Sequence, residues 1–401
     1  MIKVELNEVI DLFNGFAFKS NDYVESSKVL NCRMSNIRPD GSFNILYNPK
    51  FLPNDFTIKY ENYLLKDGDL IVAMTDLAGD PKILGVPTLV TTNGYNVLLN
   101  QRVGKLVLKR PDLLYIPWLR YNLSRKEVQK YYSKFSNGGL QINLGKSDLL
   151  SYKIEIPPLA TQKAIAEKLD KADALRKKDQ ELLKQYDELA QSIFIEMFGD
   201  PVQNEKGWEK NYLEDLTNLI TDGKHGNCND EKDSGYYFIS AKDIFNGKIN
   251  YSKSRQIPKS EFDEVDRRTN LQINDLVMVN TGATIGKMAV VENEILTRKT
   301  TFQKSVAVIK PLHNLINVNF LKYVFELRID AFANIGSGTA IKNLLLSDMR
   351  KFKIISPPLE LQNQFAEKIK NIETQKELVK KQAEASENLF QALLQESFSF
   401  T

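Results

Sequence analysis

The stretch "PPLATQKAIAEKLDKADALRKKDQELLKQY", Pro157 to Tyr186, returns as "PPLELQNQFAEKIKNIETQKELVKKQAEAS", Pro357 to Ser386. Each copy opens on a proline pair and continues as a charged run free of glycine and proline, the composition of a long helix entered through its first turn. The match is ungapped at an offset of 200: Ser147-Asp148 answers Ser347-Asp348, Lys153-Ile154 answers Lys353-Ile354, Gln162 answers Gln362, Ala166-Glu167-Lys168 answers Ala366-Glu367-Lys368, and Phe198 answers Phe398. A fainter echo precedes it in the same order. Asp69-Leu70-Ile71-Val72 with Thr75 corresponds to Asp275-Leu276-Val277-Met278 with Thr281, Trp118-Leu119-Arg120-Tyr121 to Phe320-Leu321-Lys322-Tyr323, and Gly138 to Gly338. The chain is therefore read as two similar halves, each a globular block followed by a long helix.

Apolar residues mark the faces of these helices. In the first, Ile165, Leu169, Ala172, Leu183, Tyr186, Ala190, Ile193 and Met197 recur at spacings of three and four. The same register in the second carries Phe365, Ile369, Ile372, Val379, Ala383, Phe390 and Leu393. These stripes have the width of a coiled-coil seam. About 38 residues at ~1.5 Å each give helices of roughly 57 Å, too long for a small domain to cover. They are expected to cover each other, antiparallel, so that the repeat becomes a pseudo-two-fold axis. Gly199-Asp200-Pro201 should stop the first.

The expected fold class is α+β, with two similar mixed α/β domains separated by the helices. The boundaries are 1–155, a helical region 156–205, 206–355, and a second helical region 356–401. Leu70–Met74, Val103–Leu108, Leu276–Val279 and Ser305–Ile309 read as strands, with Asn, Gly and Asp turns between them.

Composition limits the function classes. The 401 residues suit two or more domains, are 42% hydrophobic and 26% charged, and contain no run long enough for a membrane span. Met1-Ile2-Lys3-Val4-Glu5 begins no signal peptide, so a cytoplasmic protein without membrane contact is expected. Cys32 and Cys228 fall in different halves, which argues against a disulfide framework. The net charge is +4 over 1–155, −3 over 156–205, +4 over 206–355 and −2 over 356–401. Basic blocks alternate with acidic helices, but +4 is a weak footprint for a nucleic-acid binder acting without help.

A search for catalytic chemistry comes back empty. Thr281 to Met288 resembles a phosphate loop, yet three residues rather than four separate Gly282 from Gly286, and Met288 stands where the metal-binding hydroxyl belongs. His225 and Cys228 have no closing pair at zinc spacing. Ile156 and Leu159 flank one proline pair, Ser356 and Leu359 the other, so neither is the Asn/Asp-Pro-Pro-aromatic motif of an aminomethyltransferase. No Glu-X-Lys of a metal nuclease occurs, and Asp80-Pro81-Lys82 and Asp222-Gly223-Lys224 are simpler as turns. No metal and no catalytic residue is assigned.

Gly68-Asp69-Leu70-Ile71, Thr281 to Lys287, and above all "IPPLATQKAIAEKLDKADAL" and "SPPLELQNQFAEKI" resemble the specificity subunit of type I restriction-modification systems, HsdS. The resemblance covers essentially the full length. Asp76 departs from it, standing where Gly282 follows Thr281 in the second block. It implies two target recognition domains, each reading half of a split double-stranded DNA sequence, joined by two antiparallel helices that dock two methyltransferase subunits. Restriction subunits then add to that assembly. No cofactor is implied for this subunit, S-adenosylmethionine, ATP and Mg being used by its partners.

Under this reading, Arg or Lys would reach guanine O6/N7 and Asn or Gln would reach adenine N6/N7, with other cations on phosphates. The candidates are Arg33, Asn36, Arg38, Asn100, Gln101 and Arg102 in the first domain. Those in the second are Lys224, His225, Asn227, Lys242, Asn280, Lys287, Arg298 and Lys299. The alternatives are a coiled-coil scaffold without DNA binding, which leaves the divergent domains idle, and a methyltransferase fragment, for which no cofactor domain is visible.

Overall fold

The computed structural model describes residues 1–135, 140–328 and 343–399. The match of Gly138 with Gly338 lies outside the described residues. Two compact units emerge, 1–180 with 381–401, and 181–380. Each takes in part of both long helices, Leu159–Phe198 and Leu359–Phe398, where the sequence reading set 156–205 and 356–401 apart.

The reason is packing. In the first unit Ala166, Leu169, Ala172, Phe390, Leu394 and Phe398 join the domain core around Trp118 and Tyr121. In the second, Ala190, Phe194, Phe198, Phe365, Ile369 and Ile372 join the core around Phe320 and Phe325. Among the seam candidates, Ile165 and Leu393 pack partly buried against the first core, Tyr186 and Ile193 against the second. Val379 is buried and Leu183 half-buried. Phe194, Phe198, Leu394 and Phe398, which the seam count omitted, are buried because the helices present a second apolar face to the domains.

Within each unit the helix segments run antiparallel. In the first, Lys168 meets Glu396 at 3.4 Å, Arg176 meets Glu387 at 3.2 Å, and Gln382 donates to Asp179. In the second, Lys376 meets Asp187 at 2.6 Å, and Phe365 packs edge-on to Phe194 and Phe198, both at 5.4 Å.

The helix ends follow from the sequence. Pro158 accepts from the backbone of Gln162 at 3.0 Å, closing the first turn that the proline pair opens. The fully buried Gln162 side chain donates to the carbonyls of Leu113 and Pro157 and accepts from the Tyr115 N–H. Gln362 repeats this with Leu315, Pro357 and Asn317. Gly199 ends the first helix with a φ of 75°, and Trp208 Nε1 caps the Phe198 carbonyl at 2.8 Å.

Each unit holds the same four-stranded sheet. Its order is Ile10–Asn14, Val103–Leu108, Leu70–Ala73, Pro87–Leu89 in the first. In the second it is Thr217–Asp222, Val306–Pro311, Leu276–Val279, Met288–Val290. Beside it lies a parallel pair, Val29–Cys32 with Asn96–Leu99, or Tyr237–Ile239 with Thr300–Phe302. Thr75 donates to Asn143 at 3.1 Å and Thr281 to Asn343 at 2.9 Å, so the two units share even single hydrogen bonds.

Asp173 anchors a cluster in the first unit. Its carboxylate, 5% exposed, meets Arg176 at 2.5 Å, Lys177 at 2.8 Å and Arg120 at 3.2 Å. Burial works to raise its pKa, but Lys177 and Arg176 outweigh burial and hold it below the ordinary value. A depressed folded pKa contributes stability above the unfolded value of about 3.9 that is lost as pH falls through the folded value. Asp173→Ala should therefore cost about 3 kcal/mol at pH 7, taking from the largely buried Arg120 its carboxylate and from Arg176 one of its two, and progressively less below about pH 4. Denaturant midpoints at a series of pH values measure this, and a deficit independent of pH would refute it.

Candidate nucleic-acid interface

The parallel strands place the loops. In the first unit Val29–Cys32 and Asn96–Leu99 end side by side, so Arg33 and Asn100 emerge together and the Asn100 N–H donates to the Cys32 carbonyl at 3.1 Å. Gly15 then packs so closely that a Cβ there would lie 2.3 Å from the Leu99 and Asn100 carbonyl oxygens. Phe16 bridges Asn100, and the Met74 N–H donates to the Arg102 carbonyl at 2.9 Å. One edge of the unit thus gathers Arg33, Phe16 and residues 100–102.

The second unit repeats this edge. Tyr237–Ile239 and Thr300–Phe302 end at Ser240 and Gln303, and the Gln303 N–H donates to the Ile239 carbonyl at 2.8 Å. Gly223 makes the close approach and Lys224 bridges Gln303. Asn280 donates its N–H to Ser305 at 3.0 Å. Gln303 and Lys304 therefore occupy the places of Asn100 and Gln101. Lys304 is exposed and Gln303 half-exposed. The sequence reading missed both, and aligning the two units strand by strand would have found them.

The predicted residues differ in what they can still offer a ligand. Gln101 and Arg102 are exposed. Arg38 stacks over Tyr47 at 4.0 Å, and Arg33 donates to the Asn48 carbonyl. Asn100 is 8% exposed and its Oδ1 accepts from the Arg102 N–H at 3.1 Å. Asn36 is engaged within its own loop. It is 1% exposed, accepts from the Arg33 N–H and donates to the carbonyls of Asn44, Ile45 and Tyr47, so its amide fastens the loop and is not available to a base.

In the second unit the Lys224 ammonium meets Glu264 at 3.1 Å, which raises its pKa, and Glu261 at 3.8 Å. Its charge is answered within the domain. His225 lies 3.2 Å from Asp222, a carboxylate that Arg268 also holds, and Asn227 accepts from Arg255 at 2.8 Å. Lys242 is exposed on the Ala241–Asp243 turn. Lys287 is exposed, 5.9 Å from the ring of Phe245, itself 57% exposed. Asn280 is buried.

Arg298 and Lys299 stand apart from this edge. They precede Thr300–Phe302, whose first turn is tied by the Tyr237 N–H to the Lys299 carbonyl at 2.7 Å, and Arg298 pairs with Glu294. They sit at the opposite end of the strand from Gln303, with Lys299 roughly 13 Å along at about 3.3 Å per residue.

Thr281 to Lys287 forms no phosphate loop. It joins two antiparallel strands, Leu276–Val279 and Met288–Val290, with Gly282 and Gly286 at positive φ, and no helix N-terminus follows to receive a phosphate. Asp76, in the place of Gly282, is buried and accepts from the N–H groups of Leu77, Ile83 and Leu84, pinning the loop in the first unit. Among the described residues, no group of three or more His, Cys, Asp or Glu is placed to hold a metal. No described helix is long and apolar enough to cross a membrane.

Residues 1–185 and again 205–387 match the family described as Type I restriction modification DNA specificity domain. The chain belongs to this family. Each matched span contains one specificity domain with the strand order given above and most of its long helix. The chain is 31% identical to the MjaVIII specificity subunit of Methanocaldococcus jannaschii over 174 residues, 43% of this chain and 39% of that protein. To the EcoBI specificity subunit of Escherichia coli it is 22% identical, across 99% of this chain and 85% of that protein. Its fold resembles that of the type I restriction-modification S subunit from M. genitalium, with a TM-score of 0.60 at 14% identity, covering 100% of this chain and 96% of that one. A chain solved in work on complex assembly and conformational transition of the type I R-M system gives 0.52 at 17% identity, covering 99% and 97%.

Proposed function

We propose that this chain is the DNA-specificity subunit of a type I restriction-modification complex, reading a bipartite double-stranded target with one domain per half. The observation that carries the reading is the repeated edge. Two units of one topology present different side chains at the same place, Phe16 and Gln101 in one, Lys224 and Lys304 in the other. One scaffold carrying two surfaces suits two related reading tasks with different targets.

In this reading Gln101 and Arg102, and Gln303 and Lys304, meet base edges, while Arg33, Arg38, Lys242 and Lys287 flank them at phosphates. The long helices form an antiparallel coiled coil with pseudo-two-fold symmetry that separates the domains. They dock two methyltransferase subunits, and restriction subunits join that assembly in the cytoplasm. S-adenosylmethionine, ATP and Mg act in the partners, and this chain performs no catalysis.

The test is to replace residues 206–355 by the corresponding domain of a relative and map methylated sites in cells supplying the methyltransferase. One half of the recognised sequence should change and the other persist. Gln101→Ala with Arg102→Ala should relax the opposite half by about 1–3 kcal/mol of discrimination per lost contact. Alteration of both halves by the domain replacement, or methylation by this chain alone, would overturn the reading.

A further inference from the structure

Asp179 is a buried acid on the first long helix, facing the second. It is 1% exposed and lies on the row Ala172, Arg176, Asp179, Leu183 at spacings of three and four that faces the second helix, where a coiled coil usually carries apolar side chains. Gln382, exposed on the edge of the second helix, donates Nε2 to Oδ1 at 2.5 Å. Among the described residues Oδ2 has no hydrogen-bond partner. A buried carboxylate with half its capacity unused costs stability, so the question is what the position does instead.

The repeat suggests an answer. Because the two helices correspond residue by residue at an offset of 200, a second copy of the first helix has the shape to take the place of the second. The charged contacts would not object. Arg176, which meets Glu387, would meet Asp187 of another copy, and Lys168, which meets Glu396, would meet Glu196. Every one of these exchanges keeps the signs of the pair. Like-with-like pairing between chains is therefore electrostatically permitted.

Asp179 is where that tolerance ends. Gln382 corresponds to Leu182, and the neighbouring seam positions Ala383 and Ser386 correspond to Leu183 and Tyr186. In a pair of two first helices each Asp179 would lose its only donor and face larger, mostly apolar side chains. In a pair of two second helices Val379 would stand in the place of Asp179 and leave Gln382 without its acceptor, beside the small Ala383 and Ser386. Only the unlike pair satisfies polarity and size together.

We propose that Asp179 and Gln382 form a pairing-specificity element, which makes the first long helix accept the second and reject a copy of itself. A second copy of this chain is the partner being excluded. The inference rests on the helix contacts and holds whatever DNA the chain reads. A polar group in a seam that fixes register and partner at some cost in stability is an established use of such groups in coiled coils, and here the buried acid plays that part with an exposed glutamine as its donor.

The test uses the full chain with Leu182→Cys as a reporter, since residue 182 lies near the centre of any antiparallel pair of first helices. Protein is refolded from urea over a hundredfold range of concentration, oxidised, and scored for covalent dimer and for mass by light scattering. The reporter chain should refold as monomer. Adding Asp179→Leu with Gln382→Leu, which removes the buried acid, should raise the share of disulfide-linked dimer at least tenfold. Independently, Leu182→Gln without the reporter supplies a donor to Asp179 in a like pair and should raise dimer by light scattering while keeping the native Gln382 contact. Should the double variant not fold, Leu182→Gln decides alone. Dimer unchanged from the parent chain, or dimer that forms without a disulfide through residue 182 in the reporter background, overturns the proposal.

Discussion

Gly223→Ala is expected to unfold the reading edge of the second unit while the first stays intact. An added Cβ would lie 1.9 Å from the Phe302 carbonyl oxygen, 2.2 Å from its carbon and 2.6 Å from the Gln303 carbonyl carbon. All three are backbone atoms at the end of a buried strand, so no side chain can swing away to make room. The chain after Thr217–Asp222 would have to move off Thr300–Phe302. That breaks the bonds from Lys224 N–H to the Phe302 carbonyl at 2.8 Å and from Lys304 N–H to the Lys224 carbonyl at 3.1 Å. Overpacking against backbone combined with lost hydrogen bonds belongs to the severe class of substitutions, about 4 kcal/mol or more. Hydrogen exchange should rise in peptides of 217–311 and remain native in peptides of 10–108. Gly79→Ala, where a Cβ meets nothing within 4 Å, is the control and should be neutral. A midpoint for Gly223→Ala equal to that of the control would refute the close approach.

That glycine illustrates which parts of the molecule the sequence disclosed. Long periodic signals carried furthest: the helices at Leu159–Phe198 and Leu359–Phe398 and the strands Val103–Leu108 and Leu276–Val279 stand where alternation and periodicity put them. Shorter strands escaped because three residues, buried or nearly so, as in Tyr237–Ile239 or Thr300–Phe302, contain no period to detect. Their parallel pairing is what brings Gln303 beside Lys224. The equivalence of Gln303 with Asn100 was hidden because insertions move the globular blocks away from the constant offset of the helices. Asn36 shows the opposite case. A polar side chain in a loop reads as a contact residue, but loops need their own carbonyls satisfied, and this amide serves three of them. Gln162 and Gln362 were legible as a repeat but not as a fastener, since their partners lie some 47 residues earlier.

Lengthening both helices together is expected to lengthen the unread spacer between the two half-sites, under the proposed reading in which the helices set the separation of the domains. The insertions must be matched. Contacts run antiparallel on either side of the middle, Arg176 with Glu387 and Lys376 with Asp187, so extra residues in one helix alone would push one set out of register. Four residues after Leu182 and four after Lys380 lie opposite each other and leave Asp179 and Gln382 on the same side. Each insertion adds ~6 Å at ~1.5 Å per residue and turns the distal face by about 40°, since four residues exceed one turn of ~3.6 only slightly. At ~3.4 Å per base pair that is one to two base pairs of added spacer with both half-sites unchanged. Two residues in each helix should instead abolish recognition, because about 200° of rotation turns each helix's paired face beyond the insertion away from its paired face before it. Mapping methylated sites for the two insertion pairs in cells supplying the methyltransferase separates the outcomes. An unchanged spacer in an active four-residue variant, or equal activity of the two variants, would show that something other than helix length fixes the distance between half-sites.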